Sequence, residues 1–438
     1  MISRERRSLL SDQARIQTPW VKVTIGDYTF GIFNKTSKLS NKKSNDFYSA
    51  YNVTYPNFIK SLSITKINGQ VNTYTLSIVY PIKQDDDPNF FEKVFSSVSN
   101  TRKIVFSYGD ASMPTYSYKD EEAIITKVSQ SFGFGGGGQM NSVISYTVEA
   151  VSSSALGLSG SYTFMKRVAK PSAVIKDLFK NNAYRLKDIF TGMNEANINT
   201  LVAGGDKEVT IEGKTNISIL DYIIYLVSCM IPVGTPENSI SKDIYILTIH
   251  DDTVYDASYK SEESTGGPYF KVSRTSYAIE QADAYEIDIG YNTRTLIRNF
   301  QINQQENFSI YYNYQDKLFP EHYVKRLNNQ GEWEEVYAPN ISSNNNNRET
   351  HPDDTTWWTK ITKYPISANI TIQGLLRPAT LMTHVRLNVI FPGGHKHISS
   401  GLYIITRQQD TVDESGYYTQ LSLTRISGDT DIDTTIKG

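Results

Sequence analysis

The chain has 438 residues, with 44 Lys and Arg against 46 Asp and Glu and a formal net charge of −2. At about 150 residues per domain, this length predicts roughly three compact units. The charge balance excludes a protein built to coat nucleic acid, which carries a basic excess, and equally an acidic solvating chain.

Met1 to Pro19 mixes Arg4, Arg6, Arg7 and Arg15 with Ser and Gln and follows neither a helical nor a strand period. It reads as an arm over 1–19, and Met1 to Gln17 lacks the apolar stretch of a secretory signal. From Trp20 the period is two. Val21, Val23 and Ile25 alternate with polar neighbours, as do Leu62 and Ile64, then Tyr74, Leu76, Ile78 and Tyr80. Ile67 falls out of register, which predicts a bend or bulge there. Ile104–Phe106, Ala123–Val128 and Val143–Val151 are further strands. One helix interrupts them. Asp87 offers a cap, Pro88 fits the first helical position, and Phe90, Phe91, Val94, Phe95 and Val98 follow at helical spacing. Residues 20–160 thus read as a small β-barrel carrying one helix. Twelve per cent of the chain is aromatic, with 30 Tyr and 18 Phe, which suits strands.

Residues 161–283 read as a mixed α/β section. Val174, Ile175, Leu178 and Phe179 form one helical stripe after Pro171, and Lys187 to Met193 suggests a second short helix. Ile217–Ile231 is apolar almost all round, a buried helix capped by Asn216 or Ser218 and stopped by Pro232. Its apolar run of about 15 residues falls short of the roughly 20 a membrane span needs, so no integral membrane segment is expected. Ile244–Ile249 is a short buried strand.

Alternation returns at Tyr285, Ile287 and Ile289, followed by strands at Leu296–Ile302 and Asn307–Tyr314. A Pro-punctuated stretch at about 316–366 then lacks any period and reads as a long insertion. Strands resume at Ala368–Ile372, Val385–Phe391, Leu402–Ile404 and Leu421–Leu423, so 284–428 is a second β-rich block and 429–438 a polar tail. The two β blocks can share one barrel plan without visible identity, and no short-period repeat is evident.

Chemistry is sparse. Phe132-Gly133-Phe134 opens a glycine run through Gly138 that lacks the Lys-Ser/Thr of a phosphate loop and reads as a hairpin tip, or as a loop packing on a neighbouring subunit. His395 and His397 share a strand face, yet two ligands do not close a metal site, and His384 would have to supply a third. Asp85-Asp86-Asp87 caps a helix and Asp251-Asp252 fits a turn. No G-x-S-x-G elbow or H-E-x-x-H pair is present, and the single cysteine, Cys229, sits in the apolar helix. One cysteine excludes an intrachain disulfide framework and fits folding in a reducing cytosol. No catalytic residue, cofactor site or metal site is therefore assigned. Trp357 and Trp358, beside Asp353 and Asp354 in the insertion, suit either a protein contact or sugar stacking, or pin the loop to its own domain.

The last sixty residues carry a resemblance. Ala368-Asn369-Ile370-Thr371-Ile372-Gln373-Gly374 leads through Leu376 and Pro378 to strand Val385–Phe391 and a Gly-rich turn with His397. Ser400-Gly401-Leu402-Tyr403-Ile404-Ile405 follows. Next come Asp413-Glu414-Ser415-Gly416-Tyr417-Tyr418-Thr419 and Leu421-Ser422-Leu423-Thr424-Arg425-Ile426. This succession resembles the C-terminal barrel of phage tail baseplate hub proteins, although Leu375-Leu376-Arg377-Pro378 lengthens the family's turn. The resemblance covers 368–427 by motif and about 20–427 by pattern. It implies a β-rich α+β fold with two tail-tube-like β-barrel domains flanking a small mixed α/β section. It implies a structural, non-enzymatic hub of a tail baseplate or tip. Such a hub is a homotrimer whose six barrels form a pseudo-six-fold ring between the six-fold tail tube and a three-fold spike or tip. Its implied partners are the tail tube or distal tail protein, the central spike or tip protein and the tape measure protein, with no stable nucleic-acid binding. Its place is the virion, after assembly in the host cytoplasm. The interaction candidates are Arg4, Arg6, Arg7, Phe132, Phe134, Trp357 and Trp358. A carbohydrate- or receptor-binding tail-tip protein is the alternative. A peptidoglycan hydrolase is the less favoured one, since the chain is expected to leave no room for such a domain after the second barrel.

Overall fold

The computed structural model describes residues 19–33, 55–56, 58–83, 85–96, 102–110, 117–133, 142–191, 193, 205–231, 233, 245–250, 254–255, 269–274, 285–290, 297–304, 323–327, 333–337, 366–373, 381, 384–397, 399–413 and 415–428.

The first block begins with a hairpin of β1 (Pro19–Ile25) and β2 (Tyr28–Phe33). Its two-residue turn places Gly26 at a φ of 56°, the left-handed conformation that primed hairpin turns require. Then come β3 (Tyr55–Pro56), β4 (Ile59–Ile67), β5 (Thr73–Ile82), helix α1 (Phe90–Ser96), β6 (Lys103–Asp110), β7 (Ser117–Gly133) and β8 (Ser142–Ser152). The alternating residues Val21, Val23, Ile25, Leu62, Ile64, Tyr74, Leu76 and Ile78 all face one buried cluster. Phe91 of α1 joins it, stacked on Phe30 with ring centroids 5.3 Å apart. The helix starts at Phe90, later than Pro88. The Asp87 carboxylate accepts from the Asn89 N–H at 2.9 Å, so its capping role survives in the turn before the helix. The irregularity expected at Ile67 is displaced: β4 ends there, and its bulge lies at the other end, between Ile59 and Ser61.

The middle section holds α2 (Ser154–Leu158), β9 (Ser161–Phe164), β10 (Arg167–Ala169), α3 (Pro171–Lys180), α4 (Leu186–Ile189), β11 (Val209–Ile211), β12 (Lys214–Ser218), α5 (Ile219–Ser228), β13 (Tyr245–His250), β14 (Val254–Tyr255) and β15 (Tyr269–Arg274). Val174, Ile175, Leu178 and Phe179 of α3 are buried together with α5. Ser218 caps α5 by accepting from the Asp221 N–H at 3.0 Å. Helix α5 is buried over most of its surface, with Asp221 and Ile224 exposed. Lys170, before α3, makes no side-chain cap. The buried Asp206 replaces it, accepting from the Ser172 N–H at 2.9 Å and from the Ser172 hydroxyl. Among the described residues, no helix is long and apolar enough to cross a membrane.

The second β block contains β16 (Tyr285–Gly290), β17 (Ile297–Gln304), β18 (Tyr323–Leu327), β19 (Trp333–Tyr337), β20 (Ile366–Gln373), β21 (His384–Ile390), β22 (Gly401–Asp413) and β23 (Gly416–Gly428). The insertion is not without structure, because β18 and β19 form a hairpin inside it. The strand expected at Asn307–Tyr314 lies outside the described residues. Ile287, Ile370, Val385, Leu387, Tyr403, Ile405, Leu421 and Leu423 share a third buried cluster.

Two separate barrels are not what the strand pairing gives. Fifteen strands form one predominantly antiparallel sheet, and no closed barrel is present among the described residues. The sheet nevertheless repeats itself. The first block has the order β4-β5-β8-β7-β6-β1 and the second β17-β20-β23-β22-β21-β16. The register repeats as well. In the first block Ile125 opposes Ala150 and Lys127 opposes Glu149, with Thr126 bulged between them. In the second, Ile405 opposes Leu423 and Arg407 opposes Ser422, with Thr406 bulged. Each threonine hydroxyl donates across the hairpin at 3.1 Å, Thr126 to the Glu149 carbonyl and Thr406 to the Ser422 carbonyl. A second bulge recurs at Lys60 in β4 and at Arg298 in β17. The last strand pair differs in sense: β1 runs antiparallel to β6, but β16 runs parallel to β21.

Candidate functional site

The residue-level candidates are largely beyond the described part of the chain. Arg4, Arg6, Arg7, Phe134, Trp357 and Trp358 lie outside it. Phe132 is in strand β7 rather than in a loop, and it is 55 % exposed. His397 engages the Ser399 hydroxyl at 2.6 Å within its own turn, and His395 is exposed beside it. Asp86 accepts from the Lys83 N–H at 2.8 Å, and Asp87 bonds to Asn89 and Lys93. These carboxylates therefore organise the turn ahead of α1. The hydrogen bonds from Lys93 and Asn89 hold the Asp87 carboxyl below the ordinary carboxylate range.

The feature that stands out is where the two blocks meet. β22 and β23 are 13 residues each. From Gly401 to Ile404, β22 lies between β21 and β23, and the Thr406 bulge follows. Past that bulge it pairs with β4, from Arg407 opposite Ile67 to Asp413 opposite Ser61. The hairpin therefore serves two cores. Tyr403, Ile405, Leu421 and Leu423 fill the third cluster, whereas Val412 and Tyr417 fill the first.

Between these apolar ends lies a buried polar layer. Asp410 accepts from the Thr419 hydroxyl at 2.5 Å and from the Gln408 side-chain amide at 2.7 Å. Lys66, opposite Gln408, is only 3 % exposed. Burial raises the pKa of Asp410. The positive charge of Lys66 opposes that shift, as do hydrogen bonds from Thr419, Gln408 and Tyr417. On the opposite face, Gln409 donates to the Ser63 hydroxyl at 3.0 Å, diagonally across the junction. Hydropathy reading missed this layer, since Gln408, Gln409 and Asp410 look like a solvated strand. A signal was present in Ile124-Ile125-Thr126-Lys127 and Ile404-Ile405-Thr406-Arg407, which mark the same bulge in both blocks.

The junction joins two like units through strand pairing, and its buried polar groups penalise a slipped register.

No family model matches the sequence, and no curated protein matches it. Solved structures do resemble the fold. A tail protein from Neisseria meningitidis MC58 is 8 % identical, over 93 % of this chain and 97 % of its own, with a TM-score of 0.45. The 43 kDa tail protein of prophage MuSo2 from Shewanella oneidensis is 11 % identical, over 94 % and 100 %, with a TM-score of 0.46. The E. coli c3393 protein, a component of the type VI secretion system, is 8 % identical, over 84 % and 74 %, with a TM-score of 0.38. The structural neighbours of this chain are thus phage tail proteins and a secretion-system protein described as similar to phage tail proteins.

Proposed function

We propose that this chain is the structural hub of a phage tail baseplate or tail tip. Three copies form a ring of six similar β units that joins the six-fold tail tube to a three-fold spike or tip. The observation that carries this reading is the repeat of one strand order, with two bulges at matching places, in two blocks joined by β22 and β4. A chain that carries two like units side by side supplies a ring of 2n units from n copies. With n of three, it offers pseudo-six-fold symmetry to one partner and true three-fold symmetry to the other. The motif resemblance over 368–427 points to the same class. In this reading 20–160 and 284–428 are the two tube-like units, 161–283 the intervening section and 1–19 an assembly arm. The tail tube or distal tail protein meets one face, and the spike or tip protein the other. The tape measure protein is a further partner. The role is non-enzymatic and the site of action the virion. The carbohydrate- or receptor-binding alternative rests on Trp357 and Trp358, which lie outside the described residues, and on the 30 Tyr of the chain.

The test is the mass of the purified chain by light scattering after size exclusion, followed by imaging. A three-chain particle with six similar lobes is expected. A single-chain mass at every concentration reached would overturn the self-assembling ring.

A further inference from the structure

The duplication allows the junction within one chain to be used as a template for the contact between chains. In the second block, the seven residues after the Thr406 bulge, Arg407–Asp413, lie against β4. Their counterparts after the Thr126 bulge are Lys127–Gly133, also seven residues, and also running to the end of their strand. The two segments have different surroundings. Gln408, Asp410 and Val412 are buried, whereas Gln130 and Phe132 at the matching positions are exposed and Val128 is half-buried. Among the described residues, β6 leaves β7 after Ile124, and no other strand takes its place along Lys127–Gly133.

The receiving edge is duplicated too. β4 and β17 share their bulge and their register against the next strand. Leu62 opposes Leu76 as Phe300 opposes Ile370, and Ile64 opposes Tyr74 as Ile302 opposes Ala368. The outer edge of β4 is covered by β22. β17 pairs with β20 alone among the described residues. So each block has one donor segment and one acceptor edge, and the chain uses one of each internally.

We infer that Lys127–Gly133 of one copy adds antiparallel to the outer edge of β17 in a second copy of this chain, in the register that β22 uses on β4. This rests on the ring reading above and names the surfaces that build the ring. Transferring the register from Asp413–Ser61 and Val412–Leu62 pairs Gly133 with Asn299, Phe132 with Phe300, Ser131 with Gln301, Gln130 with Ile302 and Ser129 with Asn303. Within one chain β7 and β17 do not pair, and they stand seven strand steps apart along the sheet, a path of roughly 34 Å at the usual strand spacing. The contact is head-to-tail, so it propagates until the ring closes. The partner chemistry suits an edge that must stay soluble before assembly. Ser129, Gln130 and Ser131 are polar, and one aromatic pair, Phe132 on Phe300, takes the place of Val412 on Leu62.

The test uses the full chain, in which the native cysteine, Cys229, is buried. Phe132→Cys and Phe300→Cys are made separately, mixed, and treated with a short thiol cross-linker. Directly opposed residues bring their Cβ atoms to about 5 Å. A covalent dimer is expected from the mixture and from neither variant alone. The double variant in one chain is expected to give linked species up to the full ring. Phe132→Cys mixed with Gln301→Cys is the register control, and it is expected not to link because adjacent strand residues face opposite sides. Light scattering is run on the same samples. A multi-chain particle that does not link at 132 and 300, or that links equally at 132 and 301, overturns this inference and leaves the ring reading standing. A single-chain mass with no linkage overturns both. If either cysteine variant unfolds, Phe132→Lys in an otherwise native chain replaces it. That variant is expected to shift the particle to single chains with an unchanged melting temperature, and an intact particle overturns the inference.

Discussion

Tyr417 belongs by sequence to the second β block, but its ring is buried in the core of the first. Replacing it by Ala removes a fully buried aromatic side chain, a change that costs about 3–5 kcal/mol in a packed core. It also removes the hydroxyl that hydrogen-bonds the Asp410 carboxyl. Taking about 4 kcal/mol for the sum, the opening equilibrium of the junction rises roughly 10³-fold, at 1.4 kcal/mol per decade. Tyr417→Phe keeps the packing and loses only the hydrogen bond to an ionisable group, about 1.5 kcal/mol or roughly tenfold. The assay is amide hydrogen exchange by mass spectrometry, read on peptides from β4 and β5, some 350 residues away in sequence (about 340–360 across 59–82). The expected result is that Tyr417→Ala accelerates exchange in 59–82 by two to three orders of magnitude, about the factor just worked out, with Tyr417→Phe in between. If acceleration stays within 384–428 while 59–82 exchanges as in the native chain, the hairpin tip is not part of the first core and the two-core account fails.

Asp410 sets a pH dependence with a definite sign. Its folded pKa is raised, so its stability contribution is fully present below the unfolded value of about 3.9 and is lost as pH rises through the folded pKa. Relative to Asp410→Asn, the native chain is therefore expected to lose stability from about pH 4 upward in urea titrations, and a pH-independent difference would contradict the assignment. Asp206→Ala removes both bonds that tie Ser172 at the start of α3 and is expected to cost about 1–2 kcal/mol, measured by thermal unfolding with Asp206→Asn as the milder control. Gly290→Ala is expected to separate β16 from β21. Gly290 has a φ of 110°, and an added Cβ would lie 2.1 Å from the Ile390 backbone carbonyl oxygen. Exchange at 285–290 and 384–390 is the readout, and native-like protection there would refute the close approach.

The sequence made the cores legible because alternation and burial have the same cause. Val21, Val23 and Ile25, or Leu76 and Ile78, are apolar at every second position because one face of each strand meets an oily interior. The same reasoning placed α3 and α5 and offered Asn216 or Ser218 as the cap, of which Ser218 makes it. It failed at the junction for a physical reason. Gln408 and Asp410 are fully buried, and hydropathy assigns such residues to solvent because it cannot see the Thr419 and Lys66 partners that other strands bring. The duplication was equally hidden, since a strand accepts many apolar residues on its buried face. Only positions with special geometry kept their chemistry: threonine at 126 and 406, and a basic residue at 60 and 298. Of the site candidates, Phe132 alone falls in the described structure, and its exposure gives the sequence-level suspicion of a contact surface a defined strand edge.

The two junctions of the inferred ring face different demands, and their residues differ accordingly. The junction within the chain forms once, during folding, and never has to dissolve again. It can therefore hold a desolvated carboxyl and a nearly inaccessible lysine, which a slipped register would leave buried without each other's compensation. The junction between chains must exist first as a solvated edge. An ionisable layer there would have to shed its water at every assembly step, a cost of several kcal/mol per ion. Val128, Gln130 and Phe132 carry no charge at the positions matching Gln408, Asp410 and Val412. In the proposed ring, like geometry with unlike chemistry would let three identical chains present six similar units with only every second junction reversible, and that division would make the single chain, rather than the single β unit, the piece from which the ring is built.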